Sequence, residues 1–268
     1  MGILCCLAQD AHQQAVSPNK MKKFLIILVL LLVILASFGF ATLKILANGP
    51  ENNYFNRNLR QIFSQHRFWR ETLGLHYDGD GRYDYLLSGT GKIMLEVDVM
   101  SNLSMQPQAL ELVRQRIEQV TGKQTLYYFS SSNIPYKQSV SLGELAGMML
   151  VRRDFAATGK DAKLQILYLS RDSAEPQLLG RTVREDGIVL YEEALGDFTK
   201  SNPDTLPAYE ASTILHEFGH QLGLQHDETP GCLMNSSAEQ SHVAREELAD
   251  VVTDFCLQEI ELIKQLKN

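Results

Sequence analysis

The sequence predicts an α+β domain in which strands and helices alternate into a sheet layer ahead of a helical closing part, with one apolar helix in front of both. Three observations point there. From Lys92 onward, stretches of strand-like and helix-like pattern alternate. A helical segment ending near Gly223 carries His216 and His220 four positions apart. Ahead of both, Phe24 to Leu43 runs without a charged residue.

With 268 residues, 44% hydrophobic and 21% charged, the chain has enough apolar material for one sizeable folded domain plus appendages, which excludes a disordered protein. Its formal charge of −7 and its lack of a long Lys/Arg run exclude nucleic acid as a partner, since phosphate binding needs clustered cations.

Taken in order, residues 1–23 form a short tail with Gly2, Cys5 and Cys6 near its start. Cys6 stands where a myristoylation signal has Ser or Thr, leaving palmitoylation of Cys5 or Cys6, or an incidental tail. Met21 is an alternative start, because Met-Lys-Lys before an apolar run is a common opening for a targeting segment. Residues 24–46 are long enough to cross about 30 Å of hydrocarbon. A retained signal-anchor is favoured over a cleaved signal peptide, whose core is usually about 7–15 residues. Lys20, Lys22 and Lys23 precede the run and only Lys44 closely follows it, so the positive-inside rule places the tail in the cytoplasm and the rest outside. Cleavage would instead release a secreted domain.

Residues 47–90 form a juxtamembrane region. Asn48-Gly49-Pro50 breaks the apolar helix, and Phe55, Leu59, Ile62, Phe63, His66, Trp69 and Leu73 repeat at helical spacing. One amphipathic helix is expected, with Arg57, Arg60, Arg67 and Arg70 on its other sides, packed on the domain, with a place at a membrane surface or a role as a short inhibitory segment as the alternatives. Asp78 to Asp84 alternates carboxylates as calcium loops do. The position where such a loop needs its bidentate Glu is Gly89, so a polar turn is favoured over a structural Ca2+ site.

In the domain at 91–268, strands are expected over Ile93–Met100, Thr125–Ser130 and Leu164–Ser170, and helices over Pro107–Val120 and Leu142–Phe155. Leu178–Arg184 and Ile188–Ala194 then flank the turn Glu185-Asp186-Gly187.

The next helix carries the chemistry. Ala208, Ala211, Leu215, Phe218 and Leu222 recur at alternating intervals of three and four, which predicts one buried stripe with His216 and His220 turned away from it toward a cleft. Pro207 suits the first turn, and Gly223 can take the left-handed conformation that ends the helix and brings His226 round as a third nitrogen. Three imidazoles with an open fourth position describe a catalytic zinc site rather than a structural one. Glu217, beside the first ligand, is the candidate general base for a water whose pKa the metal lowers.

The run His216-Glu217-Phe218-Gly219-His220-Gln221-Leu222-Gly223-Leu224-Gln225-His226, followed by Met234, resembles the metzincin clan of zinc endopeptidases. The loop Asp227–Leu233 is most similar in length to that of matrixins, and Asp227 after the third histidine is also similar to adamalysins, so the family within the clan stays open. The resemblance implies a zincin fold with a mixed twisted sheet, one catalytic Zn2+ on His216, His220 and His226, Glu217 as general base, Met234 in the turn beneath the metal, and a protein or peptide substrate. An edge strand within Leu178–Arg184 would pair with that substrate. Asn235 and Ser236 replace the Pro-Tyr that matrixins usually carry after the methionine, which leaves pocket preference open. No tyrosine two residues after Met234 and no Pro-Arg-Cys-Gly propeptide switch are present.

A closing helix capped by Ser236 or Ser241 is expected from Leu248, Val252, Phe255, Ile260, Ile263 and Leu266. Cys232 and Cys256 both lie in this half, where an oxidising exterior would permit a bridge. His12 is assigned to the tail, His66 to its helix, and His76 and His242 to the surface. A zinc endopeptidase tethered to a membrane leads the readings. A catalytically silent zinc-containing surface protein and a zinc amidase on a non-peptide substrate are the alternatives.

Overall fold

The computed structural model describes residues 18–87, 89, 91–131, 133–151, 161–236 and 251–267. Gly2, Cys5, Cys6, His12, Phe155, Ser241, His242 and Leu248 lie outside the described residues.

The first helix, α1 (Pro18–Ala47), is long and apolar enough over Met21–Ala47 to cross a membrane by length and composition. Three short helices follow where a single one is expected: α2 (Tyr54–Asn58), α3 (Arg60–Ser64) and α4 (Arg67–Leu73). The breaks come at Leu59 and at His66, whose backbone is extended. Two buried arginine pairings accompany these breaks. Arg60 turns inward to hold the Asp80 carboxylate with Nε at 3.0 and 3.1 Å, and Arg70, also buried, pairs with Asp84. A buried guanidinium needs such partners. One straight helix at about 100° per residue would carry Arg60 about 140° round from Phe55 and Leu73, so it could not turn all three inward. These pairings also engage two carboxylates of the supposed calcium loop, which is a turn leading into α5 (Arg82–Leu86).

The domain is built on a five-stranded sheet in the order β2-β1-β3-β5-β4. Strands β1 (Lys92–Val99), β2 (Gln124–Phe129), β3 (Ala162–Leu169) and β5 (Gly187–Tyr191) are parallel neighbours, and the edge strand β4 (Gly180–Thr182) is antiparallel to β5. All eight residues of β3 are buried, so the sheet is covered on both faces, as parallel strands require. Leu95 pairs with Leu164 and Val97 with Ile166, which stacks the core across the two central strands.

Helix α6 (Pro107–Thr121) starts on a proline and stops at Gly122, whose φ is +72°. Helix α7 (Leu142–Val151) precedes β3. The expected strand over Ile188–Ala194 ends early, and Glu192–Phe198 forms helix α8. Helix α9 (Leu206–Leu222) packs on α6, β4, β5 and α8. Helix α10 (Leu257–Leu266) closes the fold. Val252 and Phe255 precede it in irregular chain, so the closing helix begins later than the apolar spacing suggests. Cys256 is its cap, with the Glu259 carboxylate accepting from the Cys256 N–H at 2.7 Å.

Candidate metal centre

Helix α9 carries Pro207 in its first turn and ends at Gly223, where φ is +91°. The Leu224 N–H returns to the Gly219 carbonyl at 3.0 Å, reversing the chain so that His226 comes back over the last turn. His226 Nε2 then lies 3.1 Å from His216 Nε2 and 3.0 Å from His220 Nε2. Nitrogens on a tetrahedral zinc with bonds of about 2.0–2.1 Å stand about 3.3–3.4 Å apart, so the three atoms are nearly at ligand spacing.

The other ring nitrogens decide what these three offer. His216 Nδ1 is 2.7 Å from the Leu233 carbonyl and His220 Nδ1 is 3.0 Å from the Leu224 carbonyl. A carbonyl only accepts, so each Nδ1 carries the proton and each Nε2 presents a lone pair inward. Neutral imidazoles presented this way are the donor set that zinc takes, and the residues present fit that ion. Among the described residues one other group of metal-ligating side chains is close together, Cys232, Cys256 and Glu259. The two sulfurs there are joined in a disulfide, which leaves no thiolate to bind.

The helix is not amphipathic in the expected way. Every residue from Glu210 to Leu222 is buried, His216 and His220 included, and only His226 is exposed. The sheet, α6 and α8 pack around α9, and of its polar residues Glu217 and His220 reach the cleft together with His226.

Met234 lies under the centre, 1% exposed. A Cβ on Gly219 would fall 2.2 Å from its sulfur, so a side chain between Phe218 and His220 would have to displace the methionine. Three links hold that turn. Asp227 N–H donates to the Met234 carbonyl at 3.0 Å, Met234 N–H donates to Glu259 Oε1 at 2.6 Å, and the disulfide joins Cys232 to Cys256. Glu259 thus caps α10 with one oxygen and fixes the turn with the other.

Glu217 is 2% exposed, and its Oε2 accepts a hydrogen bond from the Thr182 hydroxyl at 2.6 Å. Thr182 belongs to edge strand β4, which with Leu178 forms one wall of a cleft of about 360 Å³; Glu217, His220 and His226 line it as well. The opposite side includes Asp78 and Gln225. The turn bearing Asp78 is held tightly there, since a Cβ on Gly79 would lie 2.9 Å from the Gly223 Cα.

The structure brings His216, Glu217, His220, His226 and Met234 into one neighbourhood with the Cys232–Cys256 bridge just below. Elsewhere, His76, assigned to the surface from sequence, is half-buried and bonds Glu185 at 2.6 Å, 109 positions away. Sequence reasoning missed Thr182, Gly219 and Glu259 as parts of the site. Gly219 could have been found, as a glycine inside a helix needs a packing reason. Thr182 and Glu259 lie 35 and 25 positions from their partners and carry no local signal.

No family model matches the sequence, and no curated protein matches it. Among solved structures the chain is similar to archaemetzincin from Methanopyrus kandleri, at 13% identity over 66% of this chain and 96% of that one, with a TM-score of 0.46. It is also similar to archaemetzincin from Archaeoglobus fulgidus complexed with malonate, at 12% identity over 63% and 98% of the two chains, with a TM-score of 0.37. A zinc-dependent peptidase from Methanocorpusculum labreanum aligns at 14% identity over 65% of this chain and 100% of its own, with a TM-score of 0.42.

Proposed function

We propose that the protein is a zinc-dependent endopeptidase of metzincin type, tethered to a membrane by α1 with its cleft on the extracytoplasmic side. The observation that carries this reading is the convergence of three imidazoles, with His226 Nε2 at 3.1 and 3.0 Å from the Nε2 atoms of His216 and His220 and two opposite nitrogens tied to carbonyls, beside the buried carboxylate of Glu217. His216, His220 and His226 would hold the ion. When bound, zinc supplies a Lewis acid that polarises the scissile carbonyl and brings the pKa of a water toward about 7.

The chain's own residues do the rest. Glu217 takes the proton of the attacking water and returns it to the leaving amine. Thr182 donates to Glu217 Oε2 and thereby orients its carboxylate. Strand β4 lies at the sheet edge and along the cleft, where an extended peptide can add as a further strand, which favours a peptide over other amides. The order of lysines around α1 supports the orientation, with Lys20, Lys22 and Lys23 inside and Lys44 outside.

The test is digestion of a peptide library by the full chain in detergent, with and without a zinc chelator. Cleavage at internal peptide bonds, abolished by chelator and restored by zinc, is the expected result. A zinc-loaded chain that cuts no peptide would instead be a silent surface protein, and one that cuts only glycan-linked amides would be an amidase.

A further inference from the structure

Helix α1 ends inside a collar made by α2, α3 and α4. The carbonyls of its last turn, which a helix leaves without intrahelical partners, are taken up by that collar. Asn48 Nδ2 reaches both Lys44 O at 2.9 Å and Leu73 O at 2.8 Å, Asn53 Nδ2 donates to Leu46 O at 2.6 Å, and Arg60 Nη1 donates to Ala47 O at 2.8 Å. Ala47 is fully buried with Phe55, Leu73 and Leu75, and Leu43, Leu59, Phe63 and Trp69 pack around them. The collar is therefore tied to the end of α1, and the two take their depth in a bilayer together.

The outside of the collar is apolar where a soluble surface would be polar. Tyr54 is 73% exposed, Ile62 57% and Phe68 67%, and Ile45 on the last turn of α1 is 74% exposed. At about 1.5 Å per residue, the stretch from Phe24 to Ala47 measures about 36 Å. The hydrocarbon layer is about 30 Å thick, and about 40–45 Å with its headgroups. A helix entering the hydrocarbon at Phe24, charge-free to Leu43, therefore brings Lys44, Ala47 and the collar around it into the opposite headgroup layer. Aromatic side chains with one polar end are favoured at that depth, and the exposed Arg57 adds a cation for lipid phosphates.

We propose that the α2–α4 collar is a membrane-interface platform, with Tyr54, Ile62 and Phe68 seated among the headgroups of a phospholipid bilayer. The proposal rests on reading α1 as a membrane helix. The platform also bears on the active site. Asp78 and Gln225, which line the metal cleft, also line a larger cavity of about 640 Å³ bounded by Asn56, Arg57 and Gln61 of the collar. Seating the collar thus sets the height of the cleft above the membrane.

Trp69 is the single tryptophan of the chain and stands between Phe63 and Phe68, with ring centroids 5.4 and 5.1 Å away. The test reconstitutes the full chain in phosphatidylcholine–phosphatidylglycerol liposomes containing brominated phosphatidylcholine, with carbonate extraction to score insertion of α1. Trp69 emission is expected to be quenched more by bromines high on the acyl chain than by bromines near the methyl end. The Y54S/I62S/F68S variant is expected to stay carbonate-resistant and lose most of that quenching. A carbonate-resistant chain whose Trp69 is not quenched, or is quenched equally in the variant, overturns the platform while leaving the membrane helix standing. A chain released by carbonate overturns both.

Discussion

The hydroxyl of Thr182 on the edge strand donates to Glu217 Oε2 on the metal-site helix at 2.6 Å, joining the wall of the cleft to the carboxylate proposed to move the proton. A hydrogen bond to a charged group contributes about 1.5–3 kcal/mol, or roughly 10- to 100-fold in rate if it is needed in the transition state. Thr182→Val is expected to lower kcat by that amount with little change in KM or zinc content. Thr182→Ser, which keeps the donor, should restore most of it. A Val variant with unaltered kcat would show that Glu217 does not depend on this bond.

Gly219 has no room for a side chain, because its Cβ would sit 2.2 Å from the Met234 sulfur. Met234 is buried and a Phe255 ring atom stands 3.5 Å from the same point, so the methionine side chain has little space to move into. Gly219→Ala is expected to cost about 1–3 kcal/mol by overpacking, despite the better helix propensity of alanine. Thermal unfolding checks the loss. Zinc affinity by competition with a chromophoric chelator should fall with it, since Leu233, next to Met234, holds His216.

The disulfide between Cys232 and Cys256 closes a loop of sequence separation 24, for which chain entropy gives about 3 kcal/mol of stabilisation. For a chain of this size that corresponds to a fall in melting temperature of about 6–12 °C on reduction. C232S/C256S should match the reduced wild type in a calorimetric scan, and reductant should not shift it further.

Two carboxylates buried near the start of α9 make stability depend on pH. Burial, then the charge of Glu210, raises Glu192 to about 8, and burial raises Glu210 to about 7, against an ordinary value of 4.5. Below 4.5 both groups are protonated folded or unfolded, and their contribution is fully present. As pH rises from 4.5 toward about 7 to 8 the unfolded chain ionises while the folded one keeps its protons, so the contribution falls away and is gone once the folded groups ionise. Melting temperature is therefore expected to fall across this window relative to Glu210→Gln. That variant removes one titration while keeping an acceptor for the Gln106 N–H, 3.0 Å away. A wild type that gains stability relative to the variant as pH rises would contradict the assignment.

The parts of this protein legible in its sequence are those set by local pattern. Alternating apolar runs place β1, β2 and β3, Pro207 and Gly223 bracket α9, and the spacing of His216, His220 and His226 puts three imidazoles within reach of one point. What escaped depends on distant partners. The split of residues 54–73 into three helices accompanies the meeting of Arg60 and Arg70 with Asp80 and Asp84, a pairing no helical periodicity contains. The burial of α9 on every side was misread because a helix packed by sheet and helices has no wet face, and polar residues such as Glu217 and His220 serve the site. Gln221 instead holds the turn between β4 and β5, donating to the carbonyls of Arg184 and Gly187 at 2.9 Å from inside the core.

The most direct measurement on the metal centre is X-ray absorption at the zinc edge on the purified full chain, paired with zinc stoichiometry for the wild type and His226→Ala. One zinc per chain is expected, with a first shell of three imidazole nitrogens and one solvent oxygen at about 2.0–2.1 Å, and with zinc lost or greatly weakened in His226→Ala. A sulfur scatterer at about 2.3 Å, a fourth protein ligand in place of solvent, or full zinc retention without His226 would contradict it.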